Sequence, residues 1–496
     1  MLKRFMKLNN LIKKNHILIF ILVLAFFVRA YDLGFEKIWI DEGLTVYLSQ
    51  KSISDNIRFS LQNGHYPPYH ILLSIWEKFF GYSSSSIRFP SVIFGTISVY
   101  VLYLIVTALF NKKLGIYSAI IMALSPFNFY YSQEARPYSY LVMMSLISIF
   151  FYIKLINSKN YRYYYPYTIF TLLMLSSHGP GIFTLVFQNV HYLLFVRKNL
   201  GKWILTQSIL TILFIPLFLV IVKSILIDSK FLVVSKPGLL TLIKTFYIFT
   251  ANDLNNSISL IMGSILSLIF SILLLLVIIR IIRYIKKKKY NDVNKLAFLF
   301  LWLIIPVLLL IIQSYVFYAF FWQRYVIVSS VGLYVLIAYS ITKLKWRMQL
   351  LSILTIILLS AGLLYMEYIS PNKENWEAVS SFIKSHQQEN SVIIIHAPLS
   401  VYSFTYYYDQ SCFKNDDLTS CVKQKNVFAV QNVDELPKDL DKYDQIFLVL
   451  FNSKYTDPKM TIAGYLADHY KLTSDNLLDQ IGVLSFSAKV RNNPAG

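Results

Sequence analysis

Residues 16–42 read HILIFILVLAFFVRAYDLGFEKIWIDE. An apolar run, 16–31, carries one charge, Arg29, and about ten residues later two carboxylates, Asp41 and Glu42, stand side by side. A helix needs about 20 mostly apolar residues to cross the hydrocarbon core, and this run nearly suffices. The basic leader before it resembles the start of a signal peptide. Val28-Arg29-Ala30-Tyr31 makes a poor cleavage site, so 16–31 reads as an uncleaved first span.

Ten further stretches have the same character: 89–110, 114–131, 137–155, 163–178, 180–196, 203–225, 257–280, 296–315, 325–342 and 348–367. The chain of 496 residues is 56% hydrophobic with a mean hydropathy of +0.52, above the level of soluble domains. About eleven transmembrane helices are therefore expected over 1–369. The net charge of +21 is unevenly spread: residues 1–370 hold 35 Lys and Arg against 11 acids, residues 371–496 hold 12 against 15. The excess belongs to the membrane part, where it orients the helices and meets anionic membrane lipids. It speaks against a nucleic acid partner. With the N-terminus cytoplasmic, inner segments collect 23 of the 35 basic residues and a single acid, Asp292. That orientation leaves the C-terminus outside.

The first outer loop, 32–88, is long, and long loops tend to carry function. Two helical stretches, 44–62 and 69–80, are expected to lie along the membrane surface. A second outer loop, 226–256, holds Asp228, Lys230, Lys236, Lys244 and Asp253. From about Ser370 the pattern becomes that of a small α/β domain, 370–496. Pro371-Asn372-Lys373-Glu374 opens a helix there, and strands are expected at 391–396, 425–430 and 446–451.

The chemistry-bearing residues sit in the outer loops. Asp41 and Glu42 suit general-base work on an incoming hydroxyl, or Asp41 caps the helix that follows. Glu134 and Arg136 are the only charges of the next outer loop, and an isolated ionisable group at membrane depth is a functional hypothesis by default; a mutual ion pair is the plainer reading. His65-Tyr66-Pro67-Pro68 is a rigid turn. Arg88, Arg136 and Arg324 fall at outer span ends, able to grip a phosphate or to snorkel towards headgroups.

Together Trp39-x-Asp41-Glu42, His65-x-Pro67-Pro68, Arg88-x-Pro90-Ser91, Ser132-Gln133-Glu134-Ala135-Arg136-Pro137-Tyr138, His178 and Arg324-Tyr325 resemble the GT-C glycosyltransferases. The nearest pattern is the dolichyl-phosphate-mannose protein mannosyltransferase-like branch, which includes the lipid A aminoarabinose transferases. The resemblance covers the N-terminal half well, the later spans loosely and the last domain only in character. It implies an inverting transfer from a polyprenyl-phosphate-linked sugar to a glycan, lipid or protein acceptor. It makes Asp41 the base, Glu42 its partner and Glu134 the holder of acceptor or cation, with Arg136 and Arg324 on the lipid phosphate. His65, Arg88, Tyr138 and His178 complete the expected substrate site. Some relatives use a divalent cation, Mg or Mn, for which Asp41, Glu42, Glu134 and His65 are the candidate ligands here. A lipid-linked sugar flippase or glycan polymerase is the alternative; spans nearly free of charge, with acids gathered in outer loops, favour surface chemistry. In the last domain Cys412 and Cys421 are expected to form a disulfide, His396 to be structural, and Tyr406–Tyr408 to be a packed aromatic surface.

Overall fold

The structure is a computed structural model that describes residues 2–158, 160–227, 236–254, 256–317 and 320–488. Helix α1 (Leu2–Ala30) is kinked at Asn15 and leads through 31–39 to three short helices, α2 (Ile40–Ser49), α3 (Ile53–Gln62) and α4 (Pro67–Phe80). The expected 44–62 helix is thus two. The chain breaks at 50–52, where Ser52 caps α3 by accepting from the Asp55 amide. The two prolines of the His65 turn occupy the first positions of α4, where no amide is missed. Ile53, Ile57, Ile75, Phe79 and Phe80 are exposed on α3 and α4.

The helices that follow are α5 (Ser84–Leu109), α6 (Lys112–Ala123), α7 (Pro126–Tyr130), α8 (Tyr138–Asn157), α9 (Tyr164–Leu175), α10 (Gly181–His191) and α11 (Leu200–Ile227). After them come α12 (Leu239–Ala251), α13 (Ser257–Lys286), α14 (Tyr290–Val316), α15 (Ile327–Thr342) and α16 (Trp346–Ile369). Each expected apolar stretch is helical, but among the described residues seven helices are long and apolar enough to span: α5, α8, α11, α13, α14, α15 with the turn before it, and α16. The stretch 114–131 is divided because Pro126 cannot donate into a continuing helix and disfavours helical Ser125. Asp228 and Lys230 lie outside the described residues; Lys244, on α12, pairs with Asp253 at 2.8 Å. Burial separates an inner helix, α15, buried almost throughout, from α11 and α13, whose apolar side chains mostly face outward.

Beyond α16 the chain builds α17 (Trp376–His386), β1 (Ser391–His396), α18 (Ser400–Tyr408), α19 (Gln410–Phe413), α20 (Leu418–Gln424), β2 (Val427–Val430), β3 (Gln445–Phe451), α21 (Ser453–Thr456), α22 (Thr461–His469), β4 (Tyr470–Leu478) and β5 (Ile481–Ala488). The helix expected to open at Pro371 starts instead at Trp376, with the Asn375 side chain accepting from the Ala378 amide. The sheet order is β2-β1-β3-β5-β4; β1 pairs in parallel with β2 and β3, while β5 runs antiparallel to β3 and β4. β1 is buried almost throughout because helices cover it. Cys412 and Cys421 are disulfide-bonded, and His396 is fully buried.

Candidate active site

Helix α2 begins with Trp39 in the cap position, extended and without a side-chain cap bond. Asp41 and Glu42 therefore sit inside the first turn, where the helix dipole favours negative charge, and Asp41 is not the cap. Their surroundings differ. Glu42 is fully buried and held by a two-pronged arginine contact: Arg88 Nε donates to Oε1 at 2.9 Å and Nη2 to Oε2 at 2.6 Å. The Ala135 amide adds a third bond at 2.8 Å. Burial alone would raise the Glu42 carboxyl; Arg88, Lys373 and these bonds outweigh it and hold the group at about 2.

Arg88 is equally committed. Its remaining donors go to the Leu33, Glu36 and Lys37 carbonyls at 2.9, 2.8 and 3.0 Å. All five guanidinium N–H groups are thus used inside the protein, and none is left for a lipid phosphate. The expectation that Arg88 binds substrate gives way to a structural role: it fastens α5 to the 33–37 turn and to α2.

Asp41 keeps an open side, 27% exposed. Its Oδ2 lies 3.5 Å from Arg324 Nη1 and 3.8 Å from Arg136 Nη2. Burial pushes its carboxyl up, but the two guanidinium groups and His65 outweigh burial and leave it below its ordinary value. Arg136 is set by bonds to the Asp41 carbonyl and Thr45 Oγ1. It does not pair with Glu134. Arg324 lies 5.1 to 5.8 Å from the rings of Trp322, Tyr325 and Tyr138, a cation–π cradle. The Nε groups of both arginines and Asp41 Oδ2 have no hydrogen-bond partner among the described residues. Two cations and one carboxylate therefore stand together with unused hydrogen-bonding atoms.

Two histidines border this cluster. His65, whose ring centroid is 6.1 Å from that of His70, is held down at about 4 by burial and by Arg136. His178 stands between the rings of Tyr138 and Tyr325, at 5.6 and 5.4 Å, and burial takes it to about 3. Both are neutral at neutral pH. The Tyr138 hydroxyl is buried without a partner among the described residues.

The loop carrying Glu134 is shaped by the break between α6 and α7. The carbonyls freed at the end of α6, Met122 and Ala123, accept from the buried Arg29 guanidinium at 3.2 and 2.8 Å. Arg29 Nε also meets Ser132 Oγ at 3.3 Å, and Gln133 returns to the Arg29 and Tyr31 carbonyls. Glu134 is then fully buried, and both its oxygens lack hydrogen-bond partners among the described residues. Burial raises its carboxyl to about 7, against the opposing pull of Lys373.

Asp41, Glu134, Arg136, Arg324, His65, Tyr138 and His178 thus gather around the first turn of α2, linked by the contacts and mutual charge effects above. The four candidate metal ligands do not assemble. Among the described residues no group of three or more His, Cys, Asp or Glu could hold a metal ion, and the Glu42 oxygens are occupied by Arg88.

Sequence reading passed over Lys373, Glu374 and Glu36. Lys373 Nζ is 3.2 Å from Glu36 Oε2 and 3.9 Å from Glu42 Oε1. The Ile40 amide donates to Glu374 Oε2 at 3.3 Å. Helix α18 lies on α2: Ser403 Oγ donates to the Trp39 carbonyl, and the Ile38 amide to Tyr407 Oη. A lysine–glutamate pair just beyond the last span was the available signal, but it read as the opening of a helix.

Comparison with known proteins bears on this arrangement. Residues 65–226 match the family described as dolichyl-phosphate-mannose-protein mannosyltransferase. ArnT from Cupriavidus metallidurans, solved with undecaprenyl phosphate, superimposes with a TM-score of 0.56 at 10% identity, over 95% of this chain and 98% of that one. The oligosaccharyltransferase of Archaeoglobus fulgidus tethered to an acceptor peptide gives 0.56 at 12% identity, covering 96% and 74%. The same organism's AglB with an inhibitory peptide and dolichol phosphate gives 0.51 at 12%, covering 88% and 70%. None of the curated proteins matches the chain. The fold is that of ArnT and AglB.

Proposed function

Taking the chain as a membrane glycosyltransferase of GT-C architecture, we propose that it transfers a sugar from a polyprenyl-phosphate donor to an acceptor hydroxyl or amide on the outer face of the membrane. One observation carries this reading. Asp41 Oδ2 lies within 3.5 and 3.8 Å of two arginines that, like it, retain unused hydrogen-bonding capacity. The solved relatives with undecaprenyl phosphate and dolichol phosphate bind a ligand of the donor's class.

Arg136 and Arg324 take the donor phosphate. Their planar forks match its oxygens and stabilise the charge that develops as it leaves. Asp41 accepts the proton of the attacking acceptor. The new bond forms between acceptor and anomeric carbon as the bond to the phosphate oxygen breaks, so polyprenyl phosphate departs and the anomeric configuration inverts. Partial neutralisation of the two arginines by the phosphate relieves the pull that holds the Asp41 carboxyl down, making it a stronger base once the donor is in place. Glu134, ionised, receives a hydrogen bond from the acceptor. His65, His178 and Tyr138 line the donor side. Glu42 and Arg88 position Asp41 rather than react. Residues 370–496 form a second domain on the same outer side, covering α2. The acceptor is a glycan, a lipid or a protein of the cell envelope.

The test is Asp41→Asn in the purified protein, supplied with radiolabelled polyprenyl-phosphate sugar and cell-envelope extract. The variant is expected to unfold at the wild-type temperature while release of polyprenyl phosphate drops by roughly 10³-fold or more, as befits loss of a positioned base together with its charge. Undiminished release removes Asp41 from the role.

A further inference from the structure

Beside Arg88, a second buried cation reaches the acids behind Asp41, and it does not come from a membrane helix. Lys373 lies just past the end of α16, in the segment leading into the C-terminal domain. Its side chain is 2% exposed. Its ammonium contacts Glu36 and Glu42 and sits 5.5 Å from the Tyr130 ring centre. Of the charges acting on Glu134 it is the strongest. The backbone around it is pinned from both sides: the Asn372 amide donates to Glu36 Oε1 at 2.7 Å, the Gln480 side chain, from the β4–β5 turn, donates to the Asn372 carbonyl, and Glu374 receives the Ile40 amide. An ammonium this buried loses its hydration and needs opposite charges around it. Two carboxylates touch it, and the Ala135 amide, next in the chain to Glu134, bonds the same Glu42 oxygen that it faces.

We propose that Lys373 is a positioning residue of the transfer site, the shared counter-charge of Glu36, Glu42 and Glu134, through which seating of the C-terminal domain governs the carboxylates beside Asp41. The proposal rests on the transferase reading and extends it, because it makes the last domain a working part of the site.

A lysine that only braced Glu36 would contribute stability and leave the chemistry's pH dependence alone. The proposal requires more. The groups acting on Glu134 are Lys373 and Arg324, which favour its ionised form, and Glu42 and Asp41, which oppose it; the hydroxyls of Tyr130 and Tyr131 also feel its charge. Burial lifts the carboxyl to about 7 against the pull of Lys373. Removing the ammonium removes that pull, so the carboxyl rises further. Acceptor binding needs the ionised form, so activity must then begin at higher pH.

The experiment is the pH profile of polyprenyl phosphate release by the full-length protein in lipid nanodiscs. The wild type is expected to gain activity as pH rises through about 7, and Glu134→Gln to lose that rise. Lys373→Met should move the rise upward by about one pH unit or more, while Lys373→Arg, which keeps the charge, leaves it in place. Lys373→Gln, able to bond Glu36 without a charge, replaces the methionine variant if that one does not fold. A folded neutral variant whose profile stays at the wild-type pH overturns the proposal, even if its thermal stability has fallen. Absence of turnover in the wild type with any polyprenyl-phosphate sugar defeats the transferase reading instead.

Discussion

Asp41 and Glu42 are neighbours in sequence with opposite fates, because successive helical residues point about 100° apart. One carboxylate meets an opening between two arginines and the other meets Arg88 in the interior. That split was hidden in the sequence, where the two acids were a single signal. Arg88, Arg136 and Arg324 looked equally able to bind phosphate; position relative to a span end does not reveal which donors a neighbouring loop will consume. The distinction is testable. Arg88→Met leaves buried Glu42 with only the more distant Lys373 and the Ala135 amide and should cost about 3–5 kcal/mol, read as an early thermal transition in detergent. Arg324→Met leaves a partly exposed pair broken, so its transition should stay near the wild type while KM for the donor rises. Equal loss of stability in both variants would erase the division of roles.

The apolar runs of the membrane helices were legible because the bilayer demands continuous hydrophobicity. Less legible were the interruptions that matter. The break at Ser125-Pro126 passed as part of one span, since proline is common in membrane helices and only tertiary contacts show whether the helix continues. Here Arg29 accepts the consequence by capping the freed carbonyls. Arg29→Met should leave the Met122 carbonyl with only a long bond from the Ser125 amide and take from Ala123 its arginine donor, at about 1–3 kcal/mol; the expected result is loss of thermal stability together with slower transfer, as the Glu134 loop loses its anchor. Strand β4 also escaped, because it is largely exposed, Leu472 and Leu477 included, and offers no apolar run. The pairing of α2 with α18 depends on Gly43, where a Cβ would lie 2.2 Å from Ser403 Oγ and 2.7 Å from its backbone nitrogen. Gly43→Val should push α18 away and abolish transfer with the membrane helices intact; an active Gly43→Val protein would show that the contact is dispensable.

The whole molecule is a membrane bundle with a small sheet domain seated over α2. The distribution of charge along the chain led to this division and to the proposed orientation, but the seam between the parts was not visible, because it is built from lone side chains such as Lys373, Glu374 and Tyr407 rather than from any pattern. The orientation has its own check. With both native cysteines joined, a cysteine placed at exposed Asn390 should react with a membrane-impermeant thiol reagent on intact cells, and one at exposed Lys287 should react only after lysis. The reverse labelling would invert the topology. The disulfide itself has a further consequence. It closes the stretch 412–421, and that stretch supplies the hand that grips α2: the Asn415 carbonyl holds Lys51 Nζ at 2.8 Å, the Asp416 carbonyl takes the Tyr47 hydroxyl at 2.8 Å, and the Leu418 amide returns a bond to the same hydroxyl. A newly made chain still bearing thiols would hold α2 loosely, so the docked arrangement would arrive only once the two sulfurs are joined.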